Sequence, residues 1–266
     1  MNQNELIDKI ASEVMNRISS KGAGTATMER PATAAPASGS DEFTAKRVAS
    51  SIDHTLLKPE ARTEQFDQLC EEALHYGFKS VCVNSSQVEY VARKLQGTDV
   101  DICAVVGFPL GAMTARAKAF ETREAIAAGA DEIDMVLNIS ALKSGDYAAV
   151  EEDIRAVRRA TRATTVLKVI IETSYLSDEE KIIACELSEK AGADFVKTST
   201  GFSGKGATIE DVSLMRRTVS DHVQVKASGG IRDFETAVAM MKAGASRLGI
   251  GSSVAVMTGA PVTGNY

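Results

Sequence analysis

Tryptophan is absent from the 266 residues, and histidine (three), cysteine (four) and proline (five) are scarce. Each shortage excludes something. His54, His75 and His222 lie far apart and form no HxH or HxxxH pair. A metal-dependent enzyme needs clustered ligands, so no metal is expected. Cys70, Cys82, Cys103 and Cys185 form no CxxC and read as reduced packing residues rather than a disulfide framework. There is no excess of basic charge: the formal net charge is −6, against the basic footprint of a nucleic-acid-binding protein. No apolar run reaches the ~20 residues of a membrane span. The start, MNQNELIDKIASEVMNRI, lacks the basic opening and apolar core of a signal peptide, so a cytoplasmic address is expected.

What remains is ordinary globular composition, 44% hydrophobic and 25% charged, unevenly arranged. In residues 1–20, Leu6, Ile7, Ile10, Val14, Met15 and Ile18 recur at helical spacing with charges on the other faces. Residues 21–45 are rich in Ala, Ser, Gly, Thr and Pro, the composition of a flexible linker. A short amphipathic helix on a tether cannot bury its apolar face alone. It must pack on itself, oligomerise or dock on a partner. In that last respect it resembles the N-terminal encapsulation peptides that carry enzymes into bacterial microcompartments, which implies a shell protein as partner.

From residue 46 to 266 a single domain is expected. Strands read at 51–57, 80–84, 101–109, 131–138, 166–173, 194–200, 223–230 and 247–253. Helices fall between them, including one long helix over 142–163. Several helices close on an AG or YG pair, a helix-terminating glycine. Eight short apolar strands alternating with helices imply a parallel sheet with right-handed crossovers, and predict a closed (β/α)8 TIM barrel. A doubly wound open sheet is the alternative, but no GxGxxG opens the first unit.

Barrel active sites lie at the C-terminal ends of the strands. Three neighbouring strands carry a lysine where Val or Ile is usual: Lys168 in VLKVIIET, Lys197 in DFVKTST and Lys226 in VQVKASGG. Ammonium groups brought together, and partly desolvated, lower one another's pKa. A lysine lowered toward neutrality is a Schiff-base nucleophile. Asp134, inside DEIDMVLN, is the expected proton carrier. Asp53, inside SIDHTLL, reads equally as a carrier or as a structural partner for a lysine. His54 is expected to support the site from the core. Cys82 could meet an electrophilic aldehyde, though packing is the simpler reading. For an anion, the loops after strands seven and eight offer SGGIR, with Gly229 and Gly230, and GSS, with Ser252 and Ser253. Backbone N–H groups at glycine turns approach phosphate oxygens closely. Lys205, in GFSGKGAT, adds charge from the loop after strand six.

The blocks SIDHTLLKP, SVCVN, VGFPLG, DEIDMVLN, LKVIIET, FVKTSTGF and KASGGIR, from about residue 46 to 253, resemble those of class I deoxyribose-phosphate aldolase. The resemblance implies reversible cleavage of 2-deoxy-D-ribose 5-phosphate to D-glyceraldehyde 3-phosphate and acetaldehyde, without metal or organic cofactor. It implies that Lys197 forms the imine, that Lys226 tunes it and that Asp134 shuttles protons. Lys168 and Asp53 would support them. Gly229, Gly230, Ser252, Ser253 and Lys205 fall where the family binds the 5-phosphate. It also makes a homo-oligomer, plausibly a dimer, the expected assembly. Lys205 replaces a glycine or threonine of many members, and Ile-Gly in RLGIGSS replaces a frequent hydroxyl, which blurs the phosphate contacts. Tyr266 matches a C-terminal tyrosine that reaches the site in some members. Two alternatives stand beside this reading. One is another lysine-imine barrel aldolase; the other is a non-catalytic phosphate-binding barrel carried as cargo.

Overall fold

Alternation along each strand sets the architecture. Val81 and Val83, Ile102, Ala104 and Val106, Ile133 and Met135, Leu167 and Val169, Val196, Val225 and Ala227, and Leu248 and Ile250 all join one buried apolar cluster. Helix residues such as Leu69, Val91, Ile126, Val150, Ile154, Val157, Val212 and Met240 complete it. These strand positions therefore face outward, and the residues between them face the opposite side. Parallel strands covered by helices are the arrangement that buries both faces.

The computed structural model describes residues 43–261. The amphipathic segment 1–20, the linker as far as residue 42 and Tyr266 lie outside the described residues. A short helix α1 (Ala45–Ala49) leads into β1 (Ile52–Leu56). There follow α2 (Thr63–Tyr76), β2 (Ser80–Asn84), α3 (Val88–Lys94), β3 (Asp101–Val106), α4 (Ala115–Ala127) and β4 (Glu132–Val136). Next come α5 (Ile139–Lys143), α6 (Tyr147–Ala160), β5 (Val166–Ile170), α7 (Asp178–Lys190) and β6 (Phe195–Lys197). The chain continues through α8 (Ile209–Thr218), β7 (Gln224–Ser228), α9 (Phe234–Lys242), β8 (Arg247–Ile250) and α10 (Ser253–Thr258). The strands pair in parallel in sequence order, and β8 returns to β1, closing the barrel. This is the (β/α)8 architecture expected.

Local chemistry accounts for the punctuation. Thr114, Ser177, Thr208 and Asp233 cap α4, α7, α8 and α9 by accepting from the third backbone N–H beyond. Gly77, Gly129, Gly192 and Gly244, the glycines of the YG and AG pairs, all have positive φ. One expected element differs. The helix read over 142–163 is two helices, broken where Gly145 takes φ 71° and Asp146 caps α6 through the Ala149 N–H. No helix of the described residues is long and apolar enough to cross a membrane.

Candidate active site

The inner face of the barrel is where this fold usually stacks Val, Ile and Leu. Here it holds Asp53, Cys82, Cys103, Glu132, Asp134, Lys168, Lys197, Lys226 and Arg247, all buried. Register brings them together: Asp134 pairs with Lys168 across β4–β5, and Lys197 with Lys226 across β6–β7.

Asp134 is the hub. Its Oδ1 accepts from Lys168 Nζ at 2.9 Å, and its Oδ2 accepts from both Lys197 Nζ and Lys226 Nζ at 2.7 Å. Asp53 accepts from Lys226 Nζ, from Arg247 at 2.7 Å and from the Ser80 hydroxyl at 2.8 Å. Glu132 accepts from Lys168 at 2.5 Å and from the Arg247 guanidinium at 2.9 and 3.1 Å. The cluster thus holds four cations and three carboxylates. Its amines are not equivalent. Lys168 and Lys226 are fully buried, whereas Lys197, the last residue of β6, keeps 2% exposure.

The electrostatics depart from the expectation of mutual repulsion. Burial pushes the Lys168 and Lys226 ammonium groups toward neutrality, but Asp134, with Asp53 and Glu132 around it, outweighs burial and holds both above the ordinary lysine range. Burial likewise pushes Asp134 up, and Lys168, Lys197 and Lys226 together hold it well below the usual carboxylate range. Asp53 is held low in the same way, against burial, by Lys226, Lys168 and Arg247. Lys168 and Lys226 are therefore fixed positive charges. If the Lys197 amine reaches a substrate without its proton, the remaining three cations balance the three carboxylates.

Above this floor lies a pocket of about 390 Å³, built by the loops that follow β1, β6, β7 and β8. Lys205, Gly229, Gly230 and Ser252 line it together, as the sequence led one to expect. Gly206, on the β6 loop, packs so closely on the β7 loop that an added Cβ would lie 2.2 Å from the Gly229 carbonyl oxygen. Ser253 is the correction. It is fully buried, its hydroxyl donates to the Ile250 carbonyl at 2.9 Å, and His54 Nδ1 meets that hydroxyl at 2.9 Å. With His54 Nε2 on Glu72 at 2.7 Å, Ser253 is part of a brace between β1, α2 and α10, not of the pocket wall.

A family model for the DeoC/LacD family aldolases matches residues 47–260. The chain belongs to this family. Among its relatives, a deoxyribose-phosphate aldolase of Brevibacillus brevis is 60% identical over 214 residues, covering 80% of this chain and 96% of the relative. One from Streptococcus gordonii is 59% identical over 215 residues, covering 81% of this chain and 97% of the relative. A crystal structure described as a putative deoxyribose-phosphate aldolase from Coccidioides immitis superposes with a TM-score of 0.83 at 41% identity, covering 97% of this chain and 98% of that one. The Aeropyrum pernix deoxyribose phosphate aldolase, 34% identical with a TM-score of 0.76 over 80% of this chain and 91% of that one, is described as a tetramer.

In this aldolase three features escaped the sequence reading. Glu132 and Arg247 open their strands, where charged residues are common, so nothing marked them as inward-facing. Lys58 and Arg232 line the pocket from motifs that had been noted for other residues. Cys82, Cys103 and Asp134, and likewise Asp53, Cys103 and Glu132, each bring three ligand-type atoms within 4.8 Å. Spacing did not reveal these groups, and lysine and arginine nitrogens already occupy their carboxylates.

Proposed function

We propose that Lys197 is the imine-forming residue of an aldolase that reversibly cleaves 2-deoxy-D-ribose 5-phosphate. One observation carries this reading. Lys197 is the cluster lysine with residual exposure, and its Nζ shares Asp134 Oδ2 with the fixed cation Lys226. The Lys197 amine adds to the C1 aldehyde of the open-chain sugar, and loss of water gives an iminium. The C3 hydroxyl gives up its proton as the C2–C3 bond breaks. That electron pair moves into the iminium to form an enamine, and C3 leaves as the carbonyl of D-glyceraldehyde 3-phosphate. Protonation of the enamine at C2 and hydrolysis release acetaldehyde and return the amine. Asp134, with Lys226 on the same oxygen, is placed to take and return these protons. Lys168 and Asp53 keep Asp134 and Lys226 in position and in charge. Lys205, Gly229, Gly230 and Ser252 receive the 5-phosphate, with Lys58 and Arg232 adding positive charge.

The test is borohydride reduction in the presence of acetaldehyde or the sugar phosphate, followed by peptide mapping. The expected result is a substrate-dependent adduct on Lys197, abolished in Lys197→Ala. An adduct on another lysine, or none in folded protein, would overturn the assignment.

The sequence supports two wider readings. The apolar face of residues 1–20 fits a docking or targeting segment, with a microcompartment shell protein as one candidate partner and a cytoplasmic enzyme as the setting. The family resemblance favours a homo-oligomer, a dimer being the simplest.

A further inference from the structure

Beyond the end of β5 the ladder to β6 continues irregularly. The Ile171 N–H donates to the Lys197 carbonyl at 3.0 Å, and the Thr173 N–H to the Thr198 carbonyl at 2.9 Å. Between these two rungs sits Glu172, with φ 55° and ψ 68°. It is the sole non-glycine residue of positive φ among the described residues. Such a conformation persists only where the surroundings over-determine it.

Glu172 also buries its carboxylate, at 1% exposure, and no ion pair forms on it among the described residues. Its compensation comes instead from one turn. Oε2 accepts from the Thr200 N–H at 3.1 Å and from the Thr200 hydroxyl at 2.5 Å, and Oε1 accepts from the Ser203 hydroxyl at 3.0 Å. Thr200 Oγ1 in turn accepts from the Phe202 N–H at 3.1 Å. The left-handed backbone and the buried charge are two separate costs, and both are met by the same residues, 200–203. That turn carries Gly201, Gly204, Lys205 and Gly206 into the pocket wall. At its far end Gly206 rests on Gly229 of the β7 loop.

The turn begins only three residues after Lys197, so Glu172 could instead serve the amine. The geometry argues otherwise. Lys197 is held by its pairing in β6, by the Ile171 rung and by Asp134, none of which uses the Glu172 side chain. We infer that Glu172 is a positioning residue for the substrate phosphate: its strained, buried carboxylate holds the turn 200–206 in the shape that receives the anion. This rests on the phosphate assignment above.

Glu172→Gln keeps the size but turns an amide toward donors that need an acceptor. Ser203→Ala removes one donor and leaves the backbone of Glu172 intact, so it tests the same link should Glu172→Gln fold poorly. The experiment compares wild type and both variants on 2-deoxyribose 5-phosphate and on unphosphorylated 2-deoxyribose, with borohydride trapping of acetaldehyde on Lys197 as control. For Glu172→Gln, a KM for the phosphorylated sugar raised about ten-fold or more is expected, with kcat, the unphosphorylated reaction and the trapping rate within about two-fold of wild type. Ser203→Ala should shift the same KM in the same direction by less. Hydrogen exchange should quicken at the Thr200 and Phe202 amides, and not in the barrel strands. Equal losses on both sugars, or slowed trapping, would place Glu172 with the amine and overturn the inference, as would an unchanged KM. A wild type that traps acetaldehyde but shows no preference for the phosphorylated sugar would instead remove the phosphate assignment, and this inference with it.

Discussion

Asp134 accepts three ammonium groups on two oxygens in a site closed to water. Truncating one member of a buried ion cluster leaves the others uncompensated, so Asp134→Asn should destabilise the fold by about 3–5 kcal/mol, measured by urea unfolding. Lys226→Met should act mainly on the chemistry. Removing the cation beside Asp134 Oδ2 is expected to lower kcat by roughly 10²–10⁴-fold, the usual worth of a proton-transfer group. Loss of stability without loss of kcat would make Lys226 a purely structural residue. The pH dependence has a definite sign. The folded-state pKa values of Asp53 and Asp134 lie below their unfolded values, so their stabilisation is complete above the unfolded pKa of about 3.9 and is lost as pH falls below it. Lys168 and Lys226 lie above theirs, so their share is complete below about 10.4 and is lost as pH rises beyond it. Between these limits the cluster's contribution is flat. Urea midpoints should therefore fall steeply below about pH 4, and less steeply in Asp53→Asn. An unchanged slope in that variant would show that Asp53 is not a depressed carboxylate.

At the scale of elements, strands and loops did different work and were unequally visible in the sequence. A lysine or aspartate inside an apolar strand stands out, because burying a charge needs a reason; that is why Lys197, Lys226, Lys168 and Asp134 could be picked out from sequence. Glu132 and Arg247 could not, since at a strand's first residue a charge is ordinary until the register turns it inward. Glu172 was hidden for another cause: a backbone dihedral leaves no trace in residue type. Ser253 was misplaced because one residue separates the pocket wall from the core at the start of α10, and spacing does not resolve that. Loop-to-loop packing was equally invisible, yet it yields a sharp expectation. At Gly206 an added Cβ would lie 2.2 Å from the backbone oxygen of Gly229, which cannot rotate away. Gly206→Ala should therefore push the β6 and β7 loops apart and raise KM for a phosphorylated substrate, by about ten-fold, while acetaldehyde trapping on Lys197 continues. Unchanged KM would mean that the two loops yield without disturbing the anion site.

For the molecule as a whole, the question is what the first 40 residues add to a barrel that already contains its chemistry. Every contact of the charged cluster and every lining residue of the pocket lies between Asp53 and Ser252. The aligned 214 residues account for 96% of the Brevibacillus brevis relative, so that protein is essentially the barrel alone. An apolar face on a short helix has no use in this catalysis and cannot be buried by the helix itself. Its value must lie in what it brings together. Deleting residues 1–40 should leave kcat/KM within about two-fold of the full chain, while sedimentation or cellular distribution changes. If the truncated protein folds but loses activity, the segment completes the site and the division into tether and barrel is wrong. If activity, sedimentation and distribution all stay the same, the apolar stripe at Leu6, Ile10 and Val14 has no assembly or targeting role.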